Sequence, residues 1–398
     1  MKKVSFTHCA DLHLGCTPNH LEERYNDFFE SFKDLIDKTI ENNCKYLIIS
    51  GDLFHLKVIN SNTLLNVMNL MEYAINNNIK IFAIEGNHDK AFYVDKNSWL
   101  NFLHKKGYIT LLTHKIIDGE LVLDNDSVYE DENIRIIGIG YLGSTTSIYL
   151  KDIQNKISKS NKFTILMLHA AINRLCGEDM GDVNVETLSP LKDVVDYIAL
   201  GHIHTKYEYN DFIYNPGSIE NIRIKDGKRS NKKGFYIVNF SDKEKEVNFY
   251  ISKQRKIYNE TIKLDNNLSI EKVENILKAK EYNLQSKSIL ELTIYGNVSF
   301  NPYLINFEEI KTYLQEKYDL LYIDINNLIN IVTTDLVLNN IIDIKSIEEQ
   351  AIKNYISINH PDIREVDLLT KDIQELKNSL IEEKESDTII NSMINQGE

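Results

Sequence analysis

Tyr46-Leu47-Ile48-Ile49-Ser50-Gly51-Asp52 is a short apolar run, rich in β-branched residues, that breaks at once into a glycine and a carboxylate. Such a run predicts a buried strand, and Gly51 lets the backbone turn sharply off its end. Four more predicted strands end in the same way. Residues 3–9 lead into Asp11-Leu12-His13, 79–84 into Gly86-Asn87-His88-Asp89, 163–168 into His169, and 194–200 into Gly201-His202-Ile203-His204. Gly86 and Gly201 are expected to turn the chain as Gly51 does. Between the first two strands Tyr25, Phe28, Phe29, Phe32, Leu35, Ile36 and Ile40 recur at three- and four-residue spacing, which predicts a helix with one buried face. Further helices are expected at 62–76 and 91–106. Strand and helix alternate as in an α/β domain with a parallel sheet. From about Tyr207 to Ser252 the period drops to two, with turn signals near Asp211 and Ser241-Asp242, so antiparallel strands should close the domain.

Working outward, 398 residues leave room for two or three domains. A smaller α/β unit is predicted from a helix at 269–282, a strand at 289–295, a helix at 307–318 and a strand at 320–325. Beyond about residue 345 the chain is charged and helical, with Pro361 separating two segments. The expected division is a main domain at 1–255, an α/β cap at 256–340 and a helical tail at 341–398. The C-terminal stripe Val366, Leu369, Ile373, Leu376, Leu380 has heptad-like spacing, suited either to packing on its own domain or to docking on a partner's helices.

Composition narrows the class. Five prolines and sixteen glycines exclude collagen-like or low-complexity architecture, and Cys9, Cys16, Cys44 and Cys176 fit neither a CxxC metal pattern nor a disulfide framework. A reducing, cytoplasmic setting is expected. No run of about 18 apolar residues exists to span a membrane, and Thr7, His8 and Asp11 interrupt any signal-peptide core. With 45 basic against 59 acidic residues the net charge is −14, so a polyanionic substrate must be held by something local.

The strand-end residues supply it. Ligands of open α/β sheets bind at the carboxyl ends of strands, where residues far apart in sequence converge. Asp11, His13, Asp52, Asn87, His169, His202 and His204 form a carboxylate, imidazole and amide set suited to divalent metals such as Mn, Fe or Zn. Seven ligands are too many for one tetrahedral ion and suit two ions sharing a carboxylate, with Asp52 the natural bridge. Two divalent ions against two aspartates leave the pocket cationic, as phosphoester hydrolysis requires.

In their order, DxH, GD, GNHD, a lone His after a strand and GHxH resemble the calcineurin-like metallophosphoesterase superfamily. Within it, Gly51-Asp52-Leu53-Phe54-His55 and Tyr214-Asn215-Pro216-Gly217-Ser218-Ile219-Glu220 resemble the SbcD-type DNA repair nucleases. The protein phosphatases of the superfamily carry GDxxDRG and GNHE instead. The resemblance implies a metallophosphoesterase α/β sandwich with a small α/β cap and a helical C-terminal tail. It also implies metal-dependent hydrolysis of DNA phosphodiesters with two divalent ions, Mn foremost, as a homodimer partnered by an SMC-like ATPase of SbcC type. Asp11, His13, Asp52 and His204 would hold one ion, and Asp52, Asn87, His169 and His202 the other. His88 would serve the leaving oxygen with Asp89 orienting it, and His55 would position the phosphate.

Two other readings stay open: a two-metal phosphodiesterase for a small nucleotide, and an ATPase-recruiting scaffold with vestigial catalysis. The basic stretch holding Lys225, Lys228, Arg229, Lys232 and Lys233 is either a solvated hairpin tip or a nucleic-acid contact. Of eleven histidines, His8, His20, His104, His114 and His360 are assigned no chemistry.

Overall fold

The alternation along strand Tyr46–Ile49 sets the layers of the molecule. Tyr46 and Ile48 enter one core beside Ile165, Met167 and Tyr197, while Leu47 and Ile49 enter another beside Phe28, Phe32 and Met71. A strand apolar on both faces has to be covered on both. The computed structural model describes residues 4–331, apart from 93–94, 152, 174–181, 225–231, 242–243 and 267, together with 344–359 and 366–381.

The first sheet runs Glu244–Ile251, Gly234–Ser241, Val4–Cys9, Tyr46–Ile49, Lys80–Ala83, Thr110–Leu111. Its last four strands are parallel, and Gly234–Ser241 joins Val4–Cys9 antiparallel. The second sheet runs Tyr207–Tyr209, Ile213–Asn215, Tyr197–Gly201, Phe163–His169, Ile134–Ile139, Val128–Glu130, with its middle four strands parallel. Ile165 and Met167 point at the first sheet, whereas Leu166 and Leu168 meet Leu150, Leu188 and Leu191 on the outside. Two sheets face to face, with helices beyond them, make the α/β sandwich expected from the sequence.

Helix Glu22–Glu41 buries Phe28, Phe32, Leu35 and Ile36, the face its spacing marked out. Helix Ser61–Asn76 starts where the Asn60 side chain accepts a hydrogen bond from the Thr63 N–H. The helix expected at 91–106 is shorter, Trp99–Lys105. Ser98 caps it by accepting from the Asn101 N–H, so helical hydrogen bonding begins there and not at 91. Strand Ile134–Ile139 has no counterpart in the sequence reading. Arg135 interrupts its apolar run, and only in the fold does that guanidinium find partners, donating to the Ser158 carbonyl at 2.6 Å and to its hydroxyl at 3.3 Å. The closing strands are antiparallel as expected, with Asn210 and Asp211 at φ 53° and 49° in the first turn. Cys9, Cys16 and Cys44 are buried free thiols, and Cys176 lies outside the described residues.

After the sandwich, Ile257–Leu264 and Ile289–Val298 pair in parallel across helix Ile270–Ala279, and helix Phe307–Tyr318 leads to Tyr322–Ile331 in the same sheet. This module has its own core of Ile262, Val273, Leu277, Leu292, Ile310 and Leu314. The chain divides into two compact units, Met1–Asn330 and Ile331–Glu398. In the second, helices Ile344–Asn359 and Val366–Ile381 run antiparallel, since Glu348 pairs with Lys377 and Lys353 with Asp367. Val366, Leu369, Ile373 and Leu376 are half-buried there; Pro361 lies outside the described residues. Among the described residues no helix is long and apolar enough to cross a membrane.

Candidate metal centre

Parallel strands deliver their carboxyl ends to one edge, and here two such edges face each other across the sandwich. Asp11, Asp52 and His169 meet there fully buried, with ligand-type atoms within 4.8 Å of one another, and Asp11, His13 and His204 form a second such group. The Nε2 atoms of His13 and His204 lie 3.1 Å apart, with Asp52 Oδ2 3.8 Å from that of His13. On the other side Asn87 Oδ1 is 3.2 Å from His169 Nε2 and 3.0 Å from His202 Nδ1, and Asp52 Oδ2 is 3.5 Å from His169 Nε2. All seven expected ligands therefore converge in two overlapping sets, and Asp52 faces both.

The loops that present these side chains depart from ordinary backbone. Asp11, His13, Asp52 and His202 have φ of 52°, 45°, 52° and 91°. Each such residue stores on the order of 1–3 kcal/mol, which the surrounding structure must offset. Gly51 turns off its strand at φ 91° as expected. Gly86 and Gly201 are glycines for another reason: a Cβ at Gly86 would lie 2.0 Å from Asp52 Oδ1, and one at Gly201 would lie 2.1 Å from the Ser50 carbonyl. Gly86 lets its loop close on that of Asp52 within the first sheet, Gly201 lets the two sheet edges approach, and neither turns the chain through positive φ.

The charge state shows what this pocket lacks. Burial pushes Asp11 up to about 7 against the pull of His169, with Asp52 adding to the push. Burial opposes ionisation of Asp52 too, but His169 and His13 override it and hold its carboxyl well below the usual range. Burial would lower His169, yet the facing Asp52 raises it to about 9. Burial, then His204, drives His13 far below an ordinary histidine. The His169 Nδ1–H donates to the Ser50 carbonyl at 2.8 Å, so Nε2 is the ring nitrogen that faces Asp52 and Asn87, and a cation bound there would take the place of its proton. Two carboxylates with imidazole nitrogens turned on them form a donor set short of positive charge. Ligand atoms around one ion at ~2.1 Å lie about 3.0–3.4 Å apart, which is the spacing of the facing nitrogens and amide oxygen. The residues present fit divalent cations.

Other assignments change on inspection of the contacts. Asp89 does not reach His88; its oxygens accept from the N–H groups of Leu53, Phe54 and Gly86, tying the Asp52 loop to the Asn87 loop. It is the His55 carbonyl that accepts from His88 Nδ1, at 2.6 Å. The His55 ring stacks on that of His88, and its Nδ1 is 3.3 Å from His13 Nδ1. Lys233 is not part of a solvated tip. It is 2% exposed, and its Nζ donates to the His204 carbonyl at 2.8 Å. Nothing in the basic run distinguishes it beforehand. Lys225, Lys228 and Arg229 lie outside the described residues.

The Tyr214–Glu220 motif acquires a physical role as a brace. The Asn215 amide donates to the carbonyls of Ile203 and Thr205 at 2.7 and 2.9 Å, and the Ser218 N–H donates to that of His204 at 3.3 Å. Two residues missed in the sequence stand at the rim: Asp182, whose Oδ2 is 3.8 Å from His202 Nε2, and Tyr141, whose ring is 5.2 Å from that of His202. No spacing signal singles out either.

Comparison with known proteins agrees with this geometry. The model of the calcineurin-like phosphoesterase family matches residues 4–206, just over half of the chain. The DNA double-strand break repair protein Mre11 of Methanococcus maripaludis is 29% identical over 358 residues, covering 81% of this chain and 92% of that protein. The protein of the same name from Methanocaldococcus jannaschii is 30% identical over 253 residues, covering 61% and 64%. That from Saccharolobus solfataricus is 25% identical over 247 residues, covering 60% of this chain and 61% of that protein's length. A dimetal phosphatase of known structure from Danio rerio overlays with a TM-score of 0.41 at 10% identity, covering 63% of this chain and 96% of that one. The matched family model runs from the first strand through the Gly201–His204 turn, and the chain belongs to the calcineurin-like phosphoesterase family.

Proposed function

We propose that the chain is a two-metal DNA nuclease, the hydrolytic subunit of a double-strand-break repair complex of the SbcCD kind. The observation that carries this reading is the pair of donor sets facing each other across Asp52. Asp11, His13, Asp52 and His204 would hold one ion, and Asp52, Asn87, His169 and His202 the other. Such ions, Mn for this ligand set, supply Lewis acidity toward a phosphodiester and acidify water at neutral pH.

The chain's own groups do the rest. Asp52 stays ionised between the two sets. His88 has its Nδ1–H committed to the His55 carbonyl, so it would act as the imidazolium, giving its Nε2 proton to the departing oxygen and ending as the neutral Nδ1–H ring. His55 sets that orientation and stands on the phosphate's approach. Names of relatives matched over most of the chain point to DNA as the substrate.

In this reading residues 1–255 are the nuclease domain, 256–340 a cap and 341–398 the element that meets an SMC-like ATPase, with the whole acting in the cytoplasm. A homodimer would form on the helices Ser61–Asn76 and Trp99–Lys105. Leu64, Met68, Trp99 and Phe102 pack on their own core, while Leu65 is left 55% exposed.

The test is hydrolysis of linear and hairpin DNA, beside a dinucleotide, with Mn added and then chelated. Cleavage of both DNA substrates that stops on chelation is expected. Activity confined to the dinucleotide would assign the site to a small nucleotide, and none at all would leave a scaffold.

A further inference from the structure

Beside the metal centre the surface opens into a cleft of about 480 Å³ whose lining runs from His55, Asn87 and His88 out to Leu56, Val58 and Phe92. These last three side chains are 57%, 69% and 44% exposed, an apolar patch left uncovered among the described residues. It lies among cations: Lys57 Nζ is 5.5 Å from the centroid of the Phe92 ring, Lys90 Nζ is 5.6 Å from that of Tyr141, and Lys96 is exposed nearby. Asp95 is the exposed acid on the same rim, so the balance is positive in a chain of net charge −14.

We propose that this cleft is a subsite for one nucleobase of the strand held at the metal centre, packed against Phe92, with Lys57 meeting the adjoining phosphate. The proposal rests on the nuclease reading and adds to it a reason for preferring a base beside the scissile bond. Three observations favour this occupant. The cleft is continuous with the residues that would touch the reacting phosphate, so a nucleotide bound there already has its neighbour in place. An aromatic ring with an ammonium beside it suits a base with its phosphate, and stacking on a ring is open to any base because every base has a π-face. Interleaved lysines suit a polyanion and are depleted at the centre of protein–protein interfaces. A second protein chain is therefore the less favoured occupant.

The test uses the full-length protein with Mn and an oligonucleotide bearing either a normal base or an abasic unit next to the cleavage position. The wild-type protein should cleave the base-bearing strand about tenfold or more faster in kcat/KM, and Phe92→Ala should bring that ratio close to one. Phe92→Trp should keep the preference, whereas Phe92→Leu, apolar but without a ring, should lose it. A 2-aminopurine at the same position should be quenched on binding in the presence of Ca, and less so with Phe92→Ala. An unchanged ratio in Phe92→Ala on a DNA-cleaving protein overturns the subsite and leaves the nuclease standing. Conversion of Phe92→Ala to a slower-sedimenting species would give the patch to a second chain and overturn the subsite too. Absence of cleavage of any DNA by the wild type removes both.

Discussion

At the scale of single residues, the centre is built on a few side chains asked to do what their type resists. Asp52 is buried yet ionised because His169 and His13 face it, and it is the one carboxylate both donor sets share. Asp52→Ala should therefore abolish hydrolysis more completely than any other single ligand change and leave both sites poorly loaded, as metal analysis of the purified variant would show. His88→Ala should behave differently, losing about a hundredfold in rate with both metals retained. An empty site in that variant would make His88 a ligand. His8 belongs to another class. It is fully buried, bonded to Tyr197 and the Leu200 carbonyl, and burial lowers it from 6.5 to about 3. The unfolded chain takes up that proton below pH 6.5 while the fold does not until about pH 3. The corresponding stability is complete above 6.5 and is lost as the pH falls through this window, by up to about 1.4 kcal/mol per unit. Urea midpoints of the chelated protein should show a shallower acid slope in His8→Gln, and equal slopes would remove His8 from the account.

At the scale of elements, the site depends on how loops are held to strand ends. The Gly201–His204 turn carries two candidate ligands and is secured by hydrogen bonds from Asn215, Ser218 and Lys233 to its carbonyls and that of Thr205. Asn215→Ala takes the amide donor from two part-buried carbonyls, which should destabilise the fold by about 1–2 kcal/mol. It should also weaken metal affinity roughly tenfold to a hundredfold, since groups behind the ligands fix their orientation. Calorimetric titration with Mn beside a denaturation curve separates the two, and unaltered affinity would reduce the motif to a fold element. The clusters following each strand were legible because a catalytic loop after a buried run changes composition abruptly. Arg135 hid its strand for the opposite reason, a charge inside an apolar run whose terminal nitrogens are met by Ser158, 23 positions away.

For the whole molecule, two compact units imply separable roles. A chain ending at residue 331 should fold cooperatively, bind metal and hydrolyse a small phosphodiester, its thermal midpoint within about 3 °C of the full chain's. If the helical pair is the ATPase-docking element, the shortened chain should no longer capture that ATPase. Precipitation, or loss of a single melting transition, would show that the helices complete the core.

The sequence by itself determined that strands and helices alternate and that polar clusters follow the strands, where they can converge. Short continuous apolar runs mark strands buried on both faces, and the polar clusters that follow them lie at the carboxyl ends of those strands. Only the tertiary structure decided which contacts each polar group makes: that Asp89 ties loops together while the His55 carbonyl orients His88, and that Lys233 is buried under His204 while Lys232 beside it is exposed. The reason is that a strand's burial is written in its own local pattern. A hydrogen bond between residues such as Lys233 and His204, 29 positions apart, is chosen by which backbones the packed sheets bring within 3 Å, and no single stretch of sequence records it.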